Sequence, residues 1–129
     1  MAECDWAILC DHAFPDINRK MCLIGIFDRV ATAAVPTALH QSALALKLVG
    51  DPNERVNLQV RVIRPNGPIL ADIAVEVVLN DTTGTAEIQL GMAGLPLPDE
   101  GDYAFEIIVN GTLAKAVVIS VKVARPTKS

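Results

Sequence analysis

The chain has 129 residues, 51% of them apolar, a formal net charge of −4 and a pI near 5.0. That length suits a single domain, 1–129, with enough aliphatic side chains to bury a core without disulfides. The acidic balance and scattered Lys and Arg argue against nucleic acid or an anionic membrane as partner, and no apolar stretch reaches the ~20 residues that span a bilayer.

Asp5 to Phe14 reads as a first strand, with Trp6, Ile8, Cys10 and His12 on one face and Ala7, Leu9, Asp11 and Ala13 on the other. Pro15 to Asn18 supplies turn chemistry. Met21 to Asp28 is the second strand, and the two form an opening hairpin. Gly25 inside it marks a bulge or a close approach by another backbone. Arg29 to Gln41 mixes Ala, Val and Thr around Pro36, which forbids a helix through the middle. It reads as an extended connection crossing between two sheets.

Ser42 to Val49 is a third strand, with Leu44, Leu46 and Leu48 facing in. Arg55 to Arg64 is a fourth, with Val56, Leu58, Val60 and Val62 inward and polar residues outward, the pattern of one-sided burial. Pro65-Asn66-Gly67 turns the chain. Ile69 to Leu79 is the fifth strand, with Ile73, Val75, Val77 and Leu79 on one face. Thr85 to Met92 is the sixth, with Ala86, Ile88, Leu90 and Met92 in. Leu95-Pro96-Leu97-Pro98 is expected to carry the chain around the end as a loop.

Strands seven and eight flank Asn110-Gly111, a type I′ hairpin signal. A two-residue loop pairs Val109 with Thr112 and sets Glu106 opposite Lys115. A three-residue loop sets Phe105 opposite Val117 instead. Turn propensity favours the first. Asp99, Gly101, Tyr103 and Phe105 follow the D-x-G-x-Y-x-C spacing of immunoglobulin-type domains, with Phe105 in the Cys position. In those domains the Tyr hydroxyl bonds back to the backbone at a sheet corner. Tyr103 is either such a corner or an ordinary core aromatic. Residues 125–129 read as a frayed polar tail. Eight short strands without a helix predict an all-β, antiparallel immunoglobulin-like β-sandwich.

Several of these segments together resemble a family of small bacterial proteins of unknown function. The matching features are a strand carrying Cys10-Asp11, then Lys20, a strand ending Gly25-Ile26-Phe27-Asp28, and the Gly-x-Tyr-x-Phe hairpin from Gly101 to Gly111. The resemblance implies an immunoglobulin-like sandwich and a bacterial source. It implies no activity, and no functional residue is carried over.

Ser42 and Ser120 lie in no G-x-S-x-G elbow, and the eight Gly form no phosphate cradle. Cys4, Cys10 and Cys22 are an odd set without C-x-x-C, so reduced thiols are the default. Cys10, His12 and Cys22 fall short of the four ligands of a structural zinc site. Of Asp5, Asp11, Asp16 and Asp28, pairing of the first two strands brings only Asp5 and Asp28 to one end, and two carboxylates fall short of the roughly six to eight oxygens that calcium takes. Asp11 and Asp28 instead read as structural carboxylates tied to Lys20 or Arg29. Asp11, sharing a face with Leu9 and Ala13, is expected to be buried and so to need a partner. No catalytic, cofactor-binding or metal residue is assigned, and no cofactor.

Strands one, two and eight are apolar on both faces, more than one sandwich core consumes. A second copy of the chain is the simplest cover, through a sheet face or edge. The opening M-A-E-C-D-W-A-I-L-C-D has no basic segment before its apolar residues, so a cytoplasmic protein is expected. The functional expectation is a non-enzymatic interaction or assembly module that forms a homodimer and binds an unknown protein partner. A small-ligand or carbohydrate binder at a sandwich end, around Trp6, His12 and His40, is the alternative. An unrecognised enzyme comes third.

Overall fold

The computed structural model describes residues 1–124; the polar tail lies outside them. Period-two alternation produces nine strands and, among the described residues, no helix. They are β1 (Glu3–Pro15), β2 (Met21–Ile26), β3 (Arg29–Thr32), β4 (Thr37–Val49), β5 (Arg55–Ile63), β6 (Ile69–Val78), β7 (Thr85–Leu97), β8 (Gly101–Val109) and β9 (Thr112–Val123). One sheet has the order β2-β1-β4-β7 and the other β3-β9-β8-β5-β6. All ladders are antiparallel except β3 with β9. This is an immunoglobulin-like β-sandwich.

The core follows the aliphatic alternation. Leu44, Leu46 and Leu48 of β4 meet Val56, Leu58, Val60 and Val62 of β5 across the layer, with Tyr103, Phe105, Ile107, Ile119 and Val121 from β8 and β9. All are essentially inaccessible to solvent. The opening hairpin forms as read, Cys10 opposite Ile26 and Pro15 opposite Met21. The connection at 29–41 crosses from one sheet to the other. Its first four residues are a ninth strand, running parallel to β9 from Arg29 opposite Ser120 to Thr32 opposite Val123. Val35–Pro36 is a cis peptide.

Two expectations need correction. Leu95-Pro96-Leu97 is not a loop: β7 continues through it, pairing Leu95 with Leu39 and Leu97 with Thr37. Pro96 is tolerated because β7 is an edge strand. The inward parity switches at Gly94, which takes φ +67°. Leu90 and Met92 pack on the core before it, Leu95 and Leu97 after it.

A refinement concerns β6: Ile73 and Val75 share a face as read, the inward one, but remain exposed. β6 is the outer edge of the five-stranded sheet, and the four-stranded sheet leaves that edge uncovered.

The second correction concerns the β8–β9 register. Asn110 and Gly111 both take positive φ, 50° and 82°, and Val109 pairs with Thr112, as a two-residue turn requires. A bulge then consumes Ala114, so Lys115 faces Ile107 and Phe105 faces Val117. Glu106 is not opposite Lys115. Its carboxylate lies 3.6 Å from Arg61 on β5 instead.

Candidate functional site

Tyr103 sits at the start of β8 with its hydroxyl turned back to the preceding corner. The hydroxyl accepts from the Asp99 N–H at 2.8 Å and donates to the Asp99 carbonyl at 2.9 Å. Burial pushes its phenol above the ordinary value, against the lowering effect of the Asp99 N–H. The Asp99 carboxylate takes two bonds from Arg64, from Nε and Nη2, each at 2.8 Å. A Cβ at Gly101 would press on Pro65, 2.8 Å away. The D-x-G-x-Y residues thus clasp the β5–β6 turn to the corner. Their role is architectural.

Asp11 is exposed rather than buried, and so is Asp28. Among the described residues neither makes an ion pair, with Lys20, Arg29 or any other group. Asp11 lies at the edge of the core, where β1 runs beyond its ladder with β4, which ends at Cys10 opposite Ala43. The close approach that Gly25 permits is made by a side chain, not a backbone. A Cβ there would collide with the Asp11 carboxylate, and Gly25 takes φ +74°. The Asp28 carbonyl accepts from the Ser120 N–H at 2.9 Å, which seats the crossing into β3.

Cys4 and Cys10 are buried, and burial raises both thiols above the ordinary value. Cys10 Sγ donates to the carbonyls of His12 and Ala43. Cys22 is half-buried, opposite Phe14. Among the described residues no three His, Cys, Asp or Glu side chains gather to hold a metal ion. Among the described residues no helix is long and apolar enough to cross a membrane.

Trp6, His12 and His40 do not converge. His12 Nδ1 lies 3.0 Å from Gln41 Nε2 and helps to line an open depression of about 340 Å³ with Asp11, Phe14, Ser42, Gly91 and Met92. Neither Trp6 nor His40 reaches it.

The feature that stands out is the β1–β2 hairpin. Phe14, Ile24 and Ile26 are 42%, 54% and 63% exposed, and Ile17 at the turn is 98% exposed. Phe14 pairs with Cys22, and Ile24 and Ile26 pair with His12 and Cys10, so their side chains form one stripe. The outer edge of β2 is unpaired. Sheet edges are normally blunted by charge, proline or shortness. The other three edges are: β6 carries Asp72 and Glu76, β7 carries Glu87 and Pro96, and β3 has four residues, one of them Arg29. β2, Met-Cys-Leu-Ile-Gly-Ile, carries no charge and no proline.

The outer face of the other sheet is mixed: Val78, Leu113 and Val118 are about half exposed there, among polar pairs. Arg61 pairs with Glu106, Arg55 lies 3.8 Å from Glu76, and Gln59 donates to Asp72 at 2.9 Å. Sequence reading found the apolar excess of β1 and β2. It missed that β2 is an edge, since strand order leaves no local signal.

None of the curated proteins matches the chain. Among solved structures, an immunoglobulin-like protein from Pseudomonas aeruginosa is similar, with 14% identity and a TM-score of 0.49, covering 95% of this chain and 97% of that one. An alkylpurine DNA glycosylase from Pseudomonas fluorescens, bound to DNA containing an abasic site analogue, matches with 10% identity and a TM-score of 0.49. That match covers 74% of this chain and only 27% of the glycosylase, so the chain spans about a quarter of its length. Residues 5–122 match the model of a family of unknown function, DUF6941, and the chain belongs to that family.

Proposed function

We propose that the chain is a non-catalytic protein-interaction module acting through the β1–β2 hairpin. The observation that carries this reading is an unpaired edge strand without charge or proline, flanked by exposed Phe14, Ile17, Ile24 and Ile26. Strand addition to such an edge supplies main-chain hydrogen bonds, and the neighbouring aliphatic stripe supplies buried area. The exposed Val78, Leu113 and Val118 of the five-stranded sheet's outer face are interrupted by charged and amide side chains. Three free thiols suit a reducing compartment, in our reading the cytoplasm. A small-ligand or carbohydrate site has weaker support, because Trp6, His12 and His40 line no common depression.

The test is affinity capture from the cells that make the protein, with wild type and Ile24→Lys as paired baits. Ile24 is more than half exposed, so the substitution leaves the core alone. Proteins retained by wild type and lost with the variant support the reading. Identical sets on both baits overturn it.

A further inference from the structure

We infer that the hollow between the β1–β2 turn and the start of β7 binds a free α-amino acid, with the Arg19 guanidinium on its carboxylate and the Glu87 carboxylate on its ammonium. The site lies at the turn rather than along the β2 edge, so the inference stands apart from the reading of that edge. The hollow has a volume of about 480 Å³, within the usual range for small-molecule sites, and none of Trp6, His12 and His40 lines it. One wall is the turn, with Arg19 and Met21. The other is the β6–β7 loop and the outward row of β7, with Asn80, Thr85, Glu87 and Gln89.

The argument is charge complementarity. Among the described residues that line the hollow, Arg19 is the cation and Glu87 the anion. Among the described residues neither makes an ion pair, with the other or, for Glu87, with Lys47 opposite it on β4. A ligand with a single charge meets one attractive and one repulsive partner here. A zwitterion satisfies both. Arginine takes a carboxylate through two parallel bonds, which suits the acid end. Gln89, two residues from Glu87 on the same face of β7, offers an amide oxygen to a further N–H of the ammonium. Met21 adds apolar surface for the side chain.

Both walls are set before a ligand arrives. Asp16 Oδ1 accepts from the N–H groups of Asn18 and Lys20 at 2.8 Å, and the Asp16 N–H donates to the Lys20 carbonyl. These bonds hold Arg19 at φ +64°, a conformation that glycine or asparagine adopts at lower cost. Across the hollow, Asn80 Oδ1 accepts from the N–H groups of Thr82 and Thr83 at 2.8 and 3.1 Å, and the Asn80 N–H donates to the Thr85 carbonyl. Binding therefore orders little backbone.

The test is titration of the isotope-labelled full chain with L-leucine, L-serine and L-glutamine, each to about 20 mM, followed by backbone amide shifts in NMR. At least one is expected to saturate with a dissociation constant of about 1 mM, with its largest shifts around Arg19, Glu87 and Gln89. The N-acetyl derivative of that amino acid, which lacks the ammonium, and its amide, which lacks the carboxylate, bind about tenfold more weakly. Arg19→Gln and Glu87→Gln, both at exposed positions, also weaken it about tenfold. Glu87→Gln adds no further loss for the N-acetyl derivative, and Arg19→Gln none for the amide, because each pair removes the same contact. The inference is overturned if none of the three amino acids saturates, if the derivatives bind as well as the parent, if the two variants bind like wild type, or if the shifts gather elsewhere on the sandwich.

Discussion

The Tyr103 hydroxyl both accepts from the Asp99 N–H and donates to its carbonyl. Tyr103→Phe therefore strands two corner groups and is expected to cost about 1–3 kcal/mol in urea denaturation. The same phenol, raised by burial above its ordinary 10.0, links stability to alkaline pH. Its contribution is complete below pH 10.0 and is lost as pH rises through the higher folded value. The chain has one Tyr, so tyrosinate absorbance reports this group alone. Half-ionisation at or below the ordinary value would contradict the corner. Gly25 and Asp11 make a second pair of opposites. Gly25→Ala combines positive φ with a collision and should cost about 1–3 kcal/mol. Asp11→Ala, at an exposed carboxylate, should stay within about 0.5 kcal/mol. Equal losses in the two variants would show that the contact is misread.

Among the elements, β7 shows where alternation stops being readable. Its even positions face in through Met92 and its odd positions from Leu95, because Gly94 turns the backbone between them. Gly94→Ala should cost about 1 kcal/mol through backbone strain alone, since a Cβ there meets nothing within 4 Å, and Gly94→Asn less. A fixed period reads Leu95-Pro96-Leu97 as a loop for the same reason. β5 and the part of β4 from Ser42 were legible because one face is aliphatic throughout; the first five residues of β4, from Thr37, were read as connection. The β8–β9 turn was legible from Asn110-Gly111, but the bulge at Ala114 has no residue signature, so the register beyond it was not. The four residues of β3 are too few to show a period, and their partner is the last strand of the chain. The candidate site was half legible: composition shows the excess of apolar residues in β2, and only strand order shows that its edge is free.

At the scale of the whole molecule, the two sheets differ at their surfaces. The five-stranded sheet presents Arg61, Glu106, Gln59 and Asp72 among half-exposed Val78, Leu113 and Val118, whereas β2 presents aliphatics without a charge. Thiol labelling of the native protein should modify Cys22 well before Cys4 and Cys10, which are buried.

β3 lies alongside β9 head to head, with Arg29 level with Ser120 and Thr32 with Val123. Tension drawn backward on β3 and forward on β9 pulls the two in opposite directions along their common axis. Such a load falls on all four rungs together, whereas an antiparallel hairpin gripped at its open end unzips one rung after another. This short seam is therefore the clamp that resists a load drawn between β3 and β9 before the two strands slide past each other.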